Sequence, residues 1–256
     1  MTKIVLAHGV LGFGVLGPLE YFNGVARHIE KKIPGVTVAT THVNPIGSIA
    51  KRAQELADAI VDAAGNDAVH VLAHSMGGLD ARHAIARDLS GVARHVATLV
   101  TIGTPHLGSP VADGLAHATI GGGPSPIEVE LQHNQEALHD LTTAAATNFD
   151  RNTDARVRTL CIAGDMTGHA AHASLSFRAI AHKFGVTGPN DGVVTVVSAT
   201  AGGKFELFDT WPTDHAGEIG WNLDLLVPAR VPLIQQPHLE RYERLVRALL
   251  PASGQI

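Results

Sequence analysis

Short runs of apolar, often β-branched residues recur along the chain: Ile4 to Ala7, Val36 to Thr41, Ala68 to Ala73, Val96 to Ile102 and Val157 to Ala163. They carry little polar alternation, which is the pattern of strands covered on both faces. Between the second and third runs, Ile49, Ala53, Leu56, Ala57, Ile60, Val61 and Ala64 fall at i, i+4, i+7, i+8, i+11, i+12 and i+15, one face of a helix. Leu239, Tyr242, Leu245, Val246 and Leu249 repeat that spacing near the C-terminus. Strands alternating with amphipathic helices predict an α/β fold, a mostly parallel central sheet with helices on both faces.

The alternation stops between about Gly108 and Arg156, where no strand-like run occurs and Gly121-Gly122-Gly123-Pro124-Ser125-Pro126 interrupts two helical patterns. So long a stretch is read as a short helical cap or lid inserted into a single domain spanning residues 1–256. A surface excursion and a moving lid both fit its composition.

Composition narrows the classes. The 256 residues suit one large domain. With 19 Lys+Arg against 24 Asp+Glu, the net charge of −5 argues against a nucleic-acid partner held by a broad basic surface. One Cys excludes an internal disulfide, and Cys161 lies mid-strand as a small buried hydrophobe. No apolar run reaches the roughly 18–20 residues of a membrane span, which predicts a soluble protein. Met1-Thr2-Lys3 leads into only four apolar residues, so no secretory leader is expected. The expectation is a cytoplasmic chain, one exported without a cleaved leader, or a mature form. The 16 histidines are a surplus that asks for a cause.

The chemistry centres on Ser75. A strand ending at Ala73 and a helix opening at Met76 leave His74-Ser75 to make a sharp turn, with the small residues Ala73 and Gly77 two before and two after the serine. This is the nucleophile elbow, in which larger neighbours would clash and the helix N-terminus is aimed at the serine hydroxyl. Ala73 replaces the first Gly of the common G-x-S-x-G pattern. Acyl transfer also needs two N–H donors for a developing oxyanion: Met76, directly after the serine, and Val10, in the loop His8-Gly9-Val10-Leu11-Gly12 after the first strand. The plainer reading of His8 and Gly9 is a tight turn.

Gly12-Phe13-Gly14-Val15-Leu16-Gly17 also matches the dinucleotide fingerprint. Its first Gly falls five residues beyond Ala7, Pro18 follows at once, and no acid ends the second strand, so a dinucleotide-dependent oxidoreductase is disfavoured.

The acid and base should follow the serine in the order Asp/Glu, then His. Asp191 stands in a Gly-bracketed turn, Gly188-Pro189-Asn190-Asp191-Gly192, before a further apolar strand, and His215 stands in the loop Trp211 to Gly217. Asp165 is the reserve acid. His238 reads as a surface or capping residue at the start of the last helix. His169 and His172, beside Asp165, have the spacing of a weak metal pair but are read as solvent-facing.

In combination, His8 to Phe13, AHSMGGLDAR (73–82), TIGTPHLGSPVAD (101–113), NQEALHDLTTAAATNFD (134–150) and NDGVV (190–194) resemble the bacterial true lipases of the α/β-hydrolase superfamily. The resemblance implies an α/β-hydrolase fold and a serine lipase or esterase. It makes Ser75 the nucleophile, Asp191 the acid, His215 the base and Val10 with Met76 the oxyanion donors, with the lid between Gly108 and Asp150. Members of that family commonly bind calcium through an Asp two residues after the catalytic His and another upstream of the catalytic Asp. Here Gly217 holds the first position and no carboxylate lies between His169 and Asn190, so no metal and no cofactor are expected.

Leu11, Phe13 and Leu16 are the candidates for lining an acyl pocket, with core packing the alternative. The expected partner is a small-molecule ester or lipid, with transient contact to a lipid interface. A polyester depolymerase or an acyltransferase would use the same triad, and a catalytically dead fold serving as a binding module is the non-enzymatic alternative.

Overall fold

The computed structural model describes residues 1–10, 20–117, 135–148, 157–168, 173–222, 224 and 237–250. Leu11, Phe13, Leu16, the Gly12 to Gly17 run, His169 and His172 lie outside the described residues, as does much of the expected cap.

The five apolar runs form strands: β1 Thr2–Ala7, β2 Val36–Thr40, β3 Val69–His74, β4 Val96–Ile102 and β5 Arg158–Gly164. A sixth, β6 Glu206–Trp211, completes one sheet of order β2-β1-β3-β4-β5-β6, and every described pairing is parallel. The hydrophobic pattern does not announce β6, because it is an edge strand whose Glu206, Leu207 and Phe208 are exposed. Conversely, the apolar run after Asp191 is not a strand. Gly192 takes a left-handed φ of 98°, Asp191 Oδ1 accepts the N–H groups of Val193 and Val194, and the Thr195 hydroxyl caps a short helix, Val196–Ala199.

Side chains alternate across the sheet as the period of two requires. Val5, Ala7, Val71 and Ala73 meet α2 (Ile49–Ala64) and α3 (Met76–Ala86) on one face. Ile4, Leu6, Leu72, Val100 and Ile162 meet α1 (Val25–Lys32) and the C-terminal helix Pro237–Leu249 on the other. Helix α2 buries Ile49, Ala53, Leu56, Ala57, Ile60 and Ala64, the face read from the spacing, and adds Arg52. The C-terminal helix buries Tyr242, Leu245 and Val246 and also His238. His238 is therefore no surface residue: it is 2% exposed and its Nε2 lies 2.7 Å from Asn23 O.

In the region expected to form the cap, α4 Pro110–His117, α5 Gln135–Asp140 and α6 Thr143–Asn148 are helical. Val111, Leu115, Ala137 and Leu138 pack with Met76 and Leu79 at the start of α3. The chain goes from β1 outward to β2 and returns past β1 to β3, so the topological switch lies between β1 and β3. Crevices for ligands in open α/β sheets form at the carboxyl ends of such strands.

Candidate active site

Ser75 is the residue between β3 and α3. Its φ of 56° and ψ of −130° are outside the regions that an L-residue prefers, a conformation costing on the order of 1–3 kcal/mol. The surroundings enforce it: Ser75 N–H donates to Ile102 O of β4 at 2.8 Å, and Gly78 N–H donates to Ser75 O at 3.0 Å. The tightest approach to Gly77 comes from the end of β1. A Cβ on Gly77 would lie 2.6 Å from His8 O and 2.8 Å from Ala7 O, so the glycine lets α3 press against the end of β1.

His215 Nε2 lies 3.0 Å from Ser75 Oγ, and His215 Nδ1 lies 2.7 Å from Asp191 Oδ2. With the Nδ1 proton donated to the carboxylate, Nε2 is left as acceptor for the serine hydroxyl. Asp191 is buried, and Val193 and Val194 hold its other oxygen at 2.8 and 2.6 Å. Asp165 turns its carboxylate to Thr167. Asp214, adjacent to His215, accepts from Ser174 N–H at 2.7 Å and Gly217 N–H at 2.8 Å. Burial raises the Asp214 carboxyl above its ordinary range. A Cβ on Gly217 would run into the Thr213 hydroxyl, so packing excludes a side chain there.

The loop after β1 faces the elbow. As the first residue of α3, Met76 carries an N–H with no partner inside its helix. Val10 packs against the apolar cluster that contains Met76 and Leu79. His8 Nδ1 lies 2.9 Å from Gly9 O, and His8 Nε2 accepts Val43 N–H at 3.1 Å. Burial lowers His8 to about 4, which leaves the ring neutral and able to serve as donor on one side and acceptor on the other.

Three residues near this centre escape sequence reasoning. Arg52, fully buried on α2, bonds Asp80 through Nε at 2.8 Å and reaches His8 O at 2.9 Å. Tyr21 Oη lies 2.7 Å from His74 Nδ1. Glu218 Oε2 lies 2.9 Å from His74 Nε2 and 3.5 Å from His215 Nδ1. Burial, reinforced by Asp191 and Asp214, raises the Glu218 carboxyl well above its ordinary range. The donor atoms of His74, His215 and Glu218 lie within 4.8 Å of one another, a set chemically fit for a cation. Their ring nitrogens are engaged by Tyr21, Ser75 and Asp191.

Residues 33–179 match the family model for the PGAP1-like alpha/beta domain. The chain belongs to this family. Among curated proteins, the PGAP1-like chain is 31% identical over 144 residues to a triacylglycerol lipase of Vibrio cholerae, covering 54% of this chain and 44% of the relative. It is 38% identical over 102 residues to triacylglycerol lipase 2 of Saccharomyces cerevisiae, covering 37% of this chain and 30% of the relative. The chain thus spans about half the length, or less, of these relatives. Among solved structures it is similar to a metagenomic carboxyl esterase, with a TM-score of 0.77 and 21% identity over 97% of this chain and 75% of that one. A mature lipase of Bacillus licheniformis gives a TM-score of 0.67 and 24% identity over 88% and 89% of the two chains. These likenesses give the PGAP1-like domain an α/β-hydrolase fold, as the sheet order and the elbow require.

Proposed function

We propose that this chain is a serine carboxylic-ester hydrolase, a lipase or esterase, with Ser75 as nucleophile, His215 as general base and Asp191 as the acid that orients it. The observation that carries the reading is the unbroken line Ser75 Oγ, His215, Asp191 at 3.0 and 2.7 Å on a strained elbow. The triacylglycerol lipases among the relatives support an ester or lipid substrate.

In this mechanism His215 Nε2 takes the Ser75 proton as Oγ attacks the ester carbonyl, and Asp191 stabilises the imidazolium that forms. Met76 and Val10 N–H groups hold the tetrahedral oxyanion. The ester C–O bond breaks as His215 returns the proton to the leaving alcohol. Water, deprotonated by the same imidazole, then releases the acyl group and restores Ser75. Helices α4 to α6 are the described part of a cap over this site, and Leu11, Phe13 and Leu16 are the proposed acyl-pocket lining. A partner of this chemistry is a small ester or a lipid presented at an interface.

The test is hydrolysis of a chromogenic ester series from short to long acyl chains by the wild type and Ser75→Ala, with fluorophosphonate labelling of both. Activity and labelling lost together in a folded S75A variant are expected. Activity that survives the substitution would sink the reading.

A further inference from the structure

The peptide units on either side of Gly9 are clamped by different residues. In the first, Arg52 Nη2 donates to His8 O at 2.9 Å, and Gly9 N–H donates to Tyr21 Oη at 3.0 Å. In the second, His8 Nδ1 donates to Gly9 O at 2.9 Å. Because a peptide unit is planar, Gly9 C=O and Val10 N–H point in opposite directions of one plane. Whatever fixes the two planes around Gly9 therefore fixes where Val10 N–H points.

Tyr21 leads from this loop into the interior. Its hydroxyl donates to His74 Nδ1 at 2.7 Å, and His74 Nε2 donates to Glu218 Oε2 at 2.9 Å. All three side chains are buried. Burial raises Tyr21, lowers His74 well below its ordinary range and raises Glu218. The chain ends beside His215 and passes through the residue before Ser75. Gly9 itself sits against both: a Cβ there would lie 2.7 Å from Ser75 Cβ and 2.8 Å from Tyr21 Oη.

We propose that Tyr21, His74 and Glu218 are positioning residues for ester hydrolysis at Ser75, their buried hydrogen-bond chain holding the Gly9 backbone so that Val10 N–H meets the oxyanion. This rests on the ester-hydrolase reading above. The geometry favours a role beyond packing because the chain terminates on a backbone N–H one residue from an oxyanion donor.

The experiment compares wild type, Tyr21→Phe, Glu218→Ala and Glu218→Gln for kcat and KM on a short-chain ester, fraction of Ser75 labelled by a fluorophosphonate, and thermal unfolding. Losing an oxyanion donor outright costs about 10²–10³ in rate, and misaiming one should cost roughly 10-fold. Y21F is expected to lose about that factor in kcat, with KM within about twofold and full eventual labelling. E218Q, which still accepts from His74 Nε2, recovers most of what E218A loses. A folded Y21F with kcat within about twofold of wild type overturns the proposal. If Y21F does not fold, the glutamate pair decides: E218Q no better than E218A overturns it. Wild type that neither labels nor hydrolyses esters overturns the underlying reading instead, so the two failures are distinguishable.

Discussion

Asp191 and His215, 24 residues apart, are joined twice: His215 N–H donates to Asp191 O at 2.9 Å, and His215 Nδ1 lies 2.7 Å from Asp191 Oδ2. The backbone bond fixes the two loops to each other, and the side-chain bond fixes the ring. Asp214, the immediate neighbour of His215, is directed instead to Ser174 and Gly217.

Replacing Asp191 with Asn is expected to lower kcat by roughly 10²-fold or more, because an amide no longer selects the tautomer that leaves Nε2 free for Ser75. Asp165→Asn, whose carboxylate serves Thr167, should stay within about threefold of wild type in steady-state kinetics. Equal losses in both variants would count against Asp191 as the acid.

The strain at Ser75 gives a stability prediction that is independent of catalysis. At φ 56° a glycine is tolerated and an alanine is not relieved, so Ser75→Gly should be more stable than Ser75→Ala by about 1 kcal/mol in urea unfolding. Its competing cost is the greater freedom of glycine in the unfolded chain. Equal midpoints would mean that the strain relieved at the elbow does no more than offset that cost.

Arg52 and Asp80 form an ion pair with both side chains at 0% exposure. Truncating one partner leaves a buried charge, and Arg52→Ala also strips the hydrogen bonds from His8 O and Asn44 O. A loss of about 3–5 kcal/mol is expected for R52A, and a smaller one for Arg52→Met combined with Asp80→Leu. Urea denaturation of the single and double variants measures both. A double variant no better than R52A would place the stabilisation in the carbonyl contacts rather than in the pair.

Acid should destabilise the fold through its buried histidines. Burial lowers His8 to about 4 and also lowers His70, His74, His106 and His238. In the unfolded chain each takes up a proton near its ordinary value of about 6.5, so the stability present above that pH is lost as pH falls toward 4. Asp80, raised by burial to about 7, and Glu218 and Asp214, also raised, act in the opposite sense. Their folded forms keep protons that the unfolded chain releases, and that contribution is lost as pH rises from about 4 toward 7. With five histidines opposing these carboxyls, the melting temperature should fall between pH 7 and pH 5. In His8→Asn that drop should shrink, and an unchanged drop would remove His8 from the account.

The sequence by itself determined strands β1 to β5, the α2 and C-terminal helix faces, the elbow at Ser75 and the pairing of Asp191 with His215 as candidate acid and base. Each depends on local periodicity or on turn chemistry written in neighbouring residues, such as Gly188 to Gly192 around Asp191. Only the tertiary structure decided the rest. β6 is an edge strand held by pairing with β5 rather than by an apolar pattern, and the run after Asp191 folds as a turn and a short helix because the Asp191 and Thr195 side chains capture its N–H groups. Tyr21, Arg52, His74 and Glu218 converge from four separate segments. A buried polar group is satisfied by whichever partner the fold brings within about 3 Å, and one-dimensional spacing carries no record of that meeting.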